Sequence, residues 1–135
     1  MAILLLGVAL PAQAAPPLSG TYSAIVTRVI DGDTFEARIH IWLGQEALTR
    51  VRLKGIDAPE LRGKCPGEQK AAQAAREHLT SLLSDGFVFL TEIEADKYGD
   101  RIVAHARLPS GDDVATKMLA AGHAKPMVKS RAKWC

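Results

Sequence analysis

Two short acidic segments carry residue types that can do chemistry. They are Ile30-Asp31-Gly32-Asp33-Thr34 and Ile56-Asp57-Ala58-Pro59-Glu60, about 25 residues apart, with Arg52 between them. Each closes a strand-like run. Carboxylates gathered in this way suit a hard cation such as Ca²⁺, which takes oxygen ligands. An arginine beside them suits a phosphate, because its planar fork matches phosphate oxygens. A metal, a carboxylate and arginines are together the parts for phosphodiester hydrolysis. Asp31-Gly32-Asp33 alone would read as an Asx-type hairpin turn, with Gly32 free to take positive φ. Asp57, Glu60 and Arg52 shift that reading to a metal site, with Asp31 left to bond turn amides. Val51 and Leu53 alternate towards a core, so Arg52 falls on the opposite face with the acidic loops; a surface salt bridge is the bland alternative.

These residues need elements to hold them. Tyr22 to Ile30 reads as a strand. Thr34 to Trp42 alternates, with Phe35, Ala37, Ile39 and Ile41 on one face and Glu36, Arg38 and His40 on the other. Leu48 to Ile56 alternates again, and Ala58-Pro59 breaks it. Glu68 to Ser84 reads as a helix with Ala72, Ala75, Leu79, Leu82 and Leu83 in a stripe. Phe87 to Glu94 and Arg101 to Leu108 make two more strands around the hairpin Asp96-Lys97-Tyr98-Gly99-Asp100. Asp112 or Asp113 caps a last helix, Val114 to Ala121, which Gly122 stops. The order predicts an α+β fold: five short antiparallel strands with a helix after the third, in a partly open Greek-key barrel of the OB type, with two or three short helices.

The 135 residues suffice for one domain, and an apolar fraction of 47% excludes global disorder. A net charge of +2 is too small to argue for nucleic acid from bulk charge. Residues 3–10 form a short apolar run, followed by Ala12-Gln13-Ala14 as an A-x-A cleavage site. Residues 1–14 are therefore expected to be a signal peptide, 15–21 a flexible lead-in and 22–135 the folded domain; a buried strand or short anchor is the alternative. Cys65 and Cys135 are expected to pair in an oxidising compartment, closing a loop of about 70 residues worth about 3–4 kcal/mol. His40, His78, His105 and His123 show no metal-ligand spacing and read as structural or solvated. Arg62, Lys64 and Lys70 form either a basic rim or a solvated loop. Trp42 is a surface or core aromatic, and Trp134 is expected to dock the tail.

From about Tyr22 to Lys125 the chain resembles the staphylococcal nuclease (thermonuclease) family. The carriers are Val29-Ile30-Asp31-Gly32-Asp33-Thr34, Val51-Arg52-Leu53 with Gly55-Ile56-Asp57-Ala58-Pro59-Glu60, Asp96-Lys97-Tyr98-Gly99 with Arg101, and Leu119-Ala120-Ala121-Gly122-His123-Ala124-Lys125. The resemblance implies an OB barrel that cleaves DNA and RNA with Ca²⁺. It assigns Asp33 and Asp57 as metal carboxylates and the Ala58 carbonyl as a third ligand. Arg52 and Arg101 would clamp the scissile phosphate, and Glu60 would orient or deprotonate the attacking water. Lys97 and Tyr98 would contact the nucleotide, and cleavage would leave 3′-phosphate ends. The sequence departs from the family pattern in three places. Ala58 replaces a threonine, Asp100 is inserted before Arg101, where it can pair with it, and Pro126-Met127-Val128 stands where tyrosines are common. The expectation is an exported (periplasmic or secreted), monomeric nuclease that prefers single strands and has no membrane attachment after signal removal. The alternative is a catalytically weak or inactive OB module that binds single-stranded nucleic acid or a protein partner.

Overall fold

The computed structural model describes residues 7–9, 18–97, 99–128 and 133–135. The expected cleavage site and Tyr98 lie outside the described residues. The element order is β1 (Leu18–Asp31), β2 (Thr34–Trp42), β3 (Gln45–Leu53), β4 (Ile56–Asp57), α1 (Pro66–Leu82), β5 (Phe87–Ala95), β6 (Arg101–Arg107), α2 (Val114–Ala120) and β7 (Lys125–Pro126). Five strands close a barrel in the order β1-β2-β3-β6-β5, and β4 pairs with β7 in a separate two-stranded ribbon.

This is the expected OB-type α+β architecture, with two differences. The barrel is closed, and β3 pairs with β6 in parallel, Arg50 opposite Arg101 and Leu53 opposite Ala104. The other barrel pairings are antiparallel. A parallel pair needs a long crossover, which α1 and the β5 strand supply. Closure also depends on β1, which begins at Leu18 rather than Tyr22. Register shifts within β1 bend it, so that its first half pairs with β5 and its second half with β2.

Strand alternation fills the barrel as the sequence predicts. Phe35, Ala37, Val51, Leu53, Val88 and Leu90 are all buried, and each large side chain contributes about 1.5–3 kcal/mol of transfer free energy. Ile41 is the exception: it has inward parity but is exposed, together with Trp42 and Leu43, at the tip of the β2–β3 hairpin.

Helix α1 lays Ala72, Ala75, Leu79 and Leu83 on the core, with Leu82 partly buried beside them. Its first turn is built by local chemistry. Pro66 begins the helix, and the Cys65 sulfur accepts from the Glu68 N–H. Asp113 caps α2 by accepting from Thr116 N–H at 2.9 Å. Cys65 and Cys135 are joined by a disulfide, with Cα atoms 6.1 Å apart. Lys125 on β7 lies over the Trp134 ring, 4.3 Å from its centroid, so the tail is docked as expected. His78 and His123 pack ring against ring at 4.7 Å between α1 and the end of α2.

Candidate active site

The β1–β2 turn presses against α1. A Cβ on Gly32 would stand 2.6 Å from Ala75 Cβ and 3.0 Å from Ala58 Cβ. Gly32 is not among the residues with positive φ. The turn therefore needs glycine for space, not for its backbone angle, which corrects the sequence reading. Asp31 does the turn-amide work expected of it, accepting from Asp33 N–H at 3.1 Å.

That packing aims Asp33 at β4. Its Oδ1 accepts from Thr34 Oγ1 and its Oδ2 from Ala58 N–H, both at 2.9 Å. Arg52, on the outward face of β3 opposite Thr34, bridges the two acidic segments. Its Nη2 lies 3.5 Å from both Asp33 Oδ2 and Asp57 Oδ1, and its Nη1 donates to Ile56 O at 3.2 Å. Asp33 and Asp57 are both buried. Ala58 is buried behind Asp33, where its small side chain admits the Gly32 turn.

The second arginine arrives from the other side. Arg101 starts β6, and its Nε donates to Asp96 across the β5–β6 hairpin. The sequence reading named Asp100 as the residue able to blunt Arg101, whereas Asp96 is the carboxylate seen holding it. Lys97 stands beside this pair.

All of these side chains face one cleft of about 470 Å³. Asp31, Asp33, Arg52, Asp57, Glu60, Lys97 and Arg101 line it, with Lys54 and Asp96. Ala58 lies behind the cleft wall. Arg62, Lys64 and Lys70 are exposed and do not line it. Glu60 is exposed at the rim, and its backbone N–H donates to Glu68 Oε2 at 2.9 Å. Glu68, nearly fully buried at 5% exposure, is the residue that sequence reasoning missed. The sequence reading used it only as the first residue of the helix. The available signal was Gly63, whose missing side chain leaves room for the Glu68 carboxylate.

The electrostatics differ across the cleft. Asp31 is pushed up to about 7, first by burial and then by the charge of Asp33. For Asp96, burial pushes upward, but the Arg101 hydrogen bond and charge outweigh it and hold the carboxyl below its usual value. Lys54 is held above its usual value, chiefly by its hydrogen bond to Glu94 at 2.7 Å.

The profile described as staphylococcal nuclease homologue matches residues 50–133. The chain belongs to the staphylococcal nuclease family. A chain named uncharacterized endonuclease from Escherichia coli is 32% identical over 109 residues, 81% of this chain and 63% of its own length. A micrococcal nuclease from Shigella flexneri is 33% identical, with 77% of this chain and 55% of that protein covered. Endonuclease YhcR of Bacillus subtilis (strain 168) is 30% identical over 121 residues, only 10% of its length. The chain thus spans less than two thirds of each of these relatives. Within the staphylococcal nuclease family, the profile match takes in Arg52, Asp57, Glu60 and Arg101, while Asp33 lies upstream of it.

Proposed function

We propose that the chain is a metal-dependent nuclease that hydrolyses phosphodiester bonds of DNA and RNA in the Arg52–Arg101 cleft. The observation that carries this reading is the convergence of two arginines from distant strands on one cleft with Asp33, Asp57 and Glu60. The names of the relatives point the same way.

The cation that best suits the donors is Ca²⁺. Asp33 and Asp57 offer hard carboxylate oxygens on one cleft, which suit an oxygen-seeking ion. Among the described residues, no three His, Cys, Asp or Glu side chains converge as a ready-made cage. Asp33 and Asp57, with the Ala58 carbonyl as a third donor, would hold the ion. Bound there, Ca²⁺ supplies electrophilic stabilisation of the charge that develops at phosphorus.

The protein's own residues do the rest. Arg52 is fixed in direction by Ile56 O, while its 3.5 Å contacts to the two aspartates are long enough to be exchanged for phosphate oxygens. Arg101 donates to the same phosphate from the opposite wall, and both contacts strengthen as negative charge builds on the oxygens. Glu60, with its backbone held by Glu68, accepts a hydrogen bond from the attacking water and orients it or takes its proton. Lys97 and Tyr98 contact the nucleotide, and cleavage leaves 3′-phosphate ends. The chain acts as a monomer on single strands in preference to duplex. We place it outside the reducing cytosol, periplasmic or secreted, because the Cys65–Cys135 bond suits an oxidising compartment. No helix among the described residues is long and apolar enough to cross a membrane.

Cleavage of single-stranded DNA with Ca²⁺, with EDTA, and by Glu60→Ala with Ca²⁺ tests this. Wild type with Ca²⁺ should far exceed the other two. Equal rates in all three overturn the proposal.

A further inference from the structure

Outside the cleft, the outward face of the β2–β3 ribbon carries a row of groups that the cleft does not use. Arg50 lies opposite Glu36 on one side and Arg101 on the other. Asp96 serves Arg101, so Arg50 needs an anion of its own. Glu36 is not that anion, because Thr27 Oγ1 donates to its Oε1 at 2.9 Å and Arg28 Nε lies 3.5 Å from its Oε2. Arg50 is exposed and makes no ion pair among the described residues. It sits two residues from Arg52 on the same strand face, about 6.6 Å along β3.

The face continues away from the cleft. Arg38, opposite Leu48, follows Arg50, with only a long 3.9 Å contact to Glu46. Then come His40 and, at the hairpin tip, Trp42, which is 70% exposed. Trp42 is exposed together with its neighbours Ile41 and Leu43, an apolar tip beyond Arg50, Arg38 and His40 on a face that also carries Leu48, Glu36 and Glu46. Basic groups that track a backbone, interleaved with an aromatic ring on which a base can stack, form the pattern of a single-strand platform.

We propose that the outer face of the β2–β3 ribbon, from Arg50 through Arg38 to Trp42, binds the part of a single-stranded nucleic acid that leads away from the scissile phosphate. Arg50 takes the phosphate next to the one held by Arg52 and Arg101, and Trp42 stacks on a base several nucleotides further on. The inference rests on the nuclease reading for its direction and is continuous with the cleft. It assigns length dependence to this chain: short substrates use the cleft alone, and long ones use the ribbon as well.

The test compares a dinucleotide, which has a single phosphodiester, with a 20-nucleotide single strand. Wild type, Arg50→Ala, Arg50→Lys and Trp42→Ala are assayed with Ca²⁺. We expect Arg50→Ala and Trp42→Ala each to raise KM for the 20-mer about tenfold and to leave dinucleotide kinetics within twofold. Arg50→Ala should also flatten the slope of log binding constant against log salt by about 0.7, and Arg50→Lys should restore it. The 20-mer should quench Trp42 fluorescence, taken as the difference from Trp42→Phe, even with EDTA present. Unchanged 20-mer KM in both alanine variants, or equal losses on both substrates, overturns the platform. If wild type cleaves nothing but the 20-mer still quenches Trp42, the nuclease reading falls and the platform stands.

Discussion

The cleft has two walls built on different principles. On one side, the β1–β2 turn, β3 and β4 hold Asp33, Asp57 and Arg52 in a buried frame, with Asp33 anchored by the Ala58 N–H and Arg52 by Ile56 O. On the other, the β5–β6 hairpin presents Arg101 through the Asp96 ion pair, with the Arg101 side chain 26% exposed against 14% for Arg52. Aspartates show the contrast directly: Asp31 in the first wall is pushed up to about 7, while Asp96 in the second is held low by its arginine. On the nuclease reading, the first wall is organised before substrate arrives, and the second offers the more exposed arginine. Chemistry that needs fixed charges near a scissile bond and tolerance for varied nucleotides is served by that division.

The deepest cut into the comparison is Arg52→Ala. It removes the cation between two buried carboxylates, so it should lower both activity, by about 10³-fold, and stability, by about 3–5 kcal/mol. A cleavage assay paired with a thermal melt reads both; an unchanged melt means that the buried frame does not depend on Arg52. Arg101→Ala should cost about 10²-fold in rate, with a melt close to wild type, because its wall is not a buried frame. A melt as low as that of Arg52→Ala would erase the distinction.

The turns of the two walls can be compared as well. Gly32→Ala forces a Cβ to 2.6 Å from Ala75 and should cost about 1–3 kcal/mol in denaturant unfolding. Gly99→Ala, in the hairpin, meets nothing within 4 Å and pays only for its φ of 83°, about 1 kcal/mol. Equal costs would show that the first turn yields more than its packing implies. The smallest effect is expected for Asp96→Asn. Because the Asp96 carboxyl is depressed in the folded state, the pair's contribution is present above the unfolded value of 3.8 and is lost as pH falls through the lower folded value. The melting difference from wild type should thus be fully developed above about pH 4, under about 1 kcal/mol, and should shrink in stronger acid. A difference that grows on acidification contradicts the sign.

What could be read from the sequence was local. Period-two alternation placed Phe35, Val51 and Leu53 in the barrel, and the 3.6-residue stripe gave α1 its buried face. The acidic turns and Arg52 were visible because their residue types are costly to cluster without a purpose. Non-local pairings were not visible. Nothing in either strand announces that β3 meets β6 in parallel, since that depends on how the barrel closes. Asp96 was passed over for Asp100 because sequence adjacency hides which carboxylate a hairpin turns towards its arginine. Glu68 was missed because its one sequence trace, Gly63, gains meaning only once the fold brings the two together. At Gly32 the residue type was informative, but its cause was crowding by Ala75 and Ala58 rather than backbone angle.

The parallel pairing of β3 with β6 has a consequence for how the molecule comes into being. Arg50 and Arg101 are about 50 residues apart along the chain, yet they face each other in the barrel. Pairing residues this distant carries a loop-closure cost that local contacts do not, which slows folding. On the nuclease reading, Arg52 and Arg101 therefore share one cleft only when the barrel seals. A nascent or half-melted chain holds one arginine without the other, so on that reading cutting power depends on the sealed barrel.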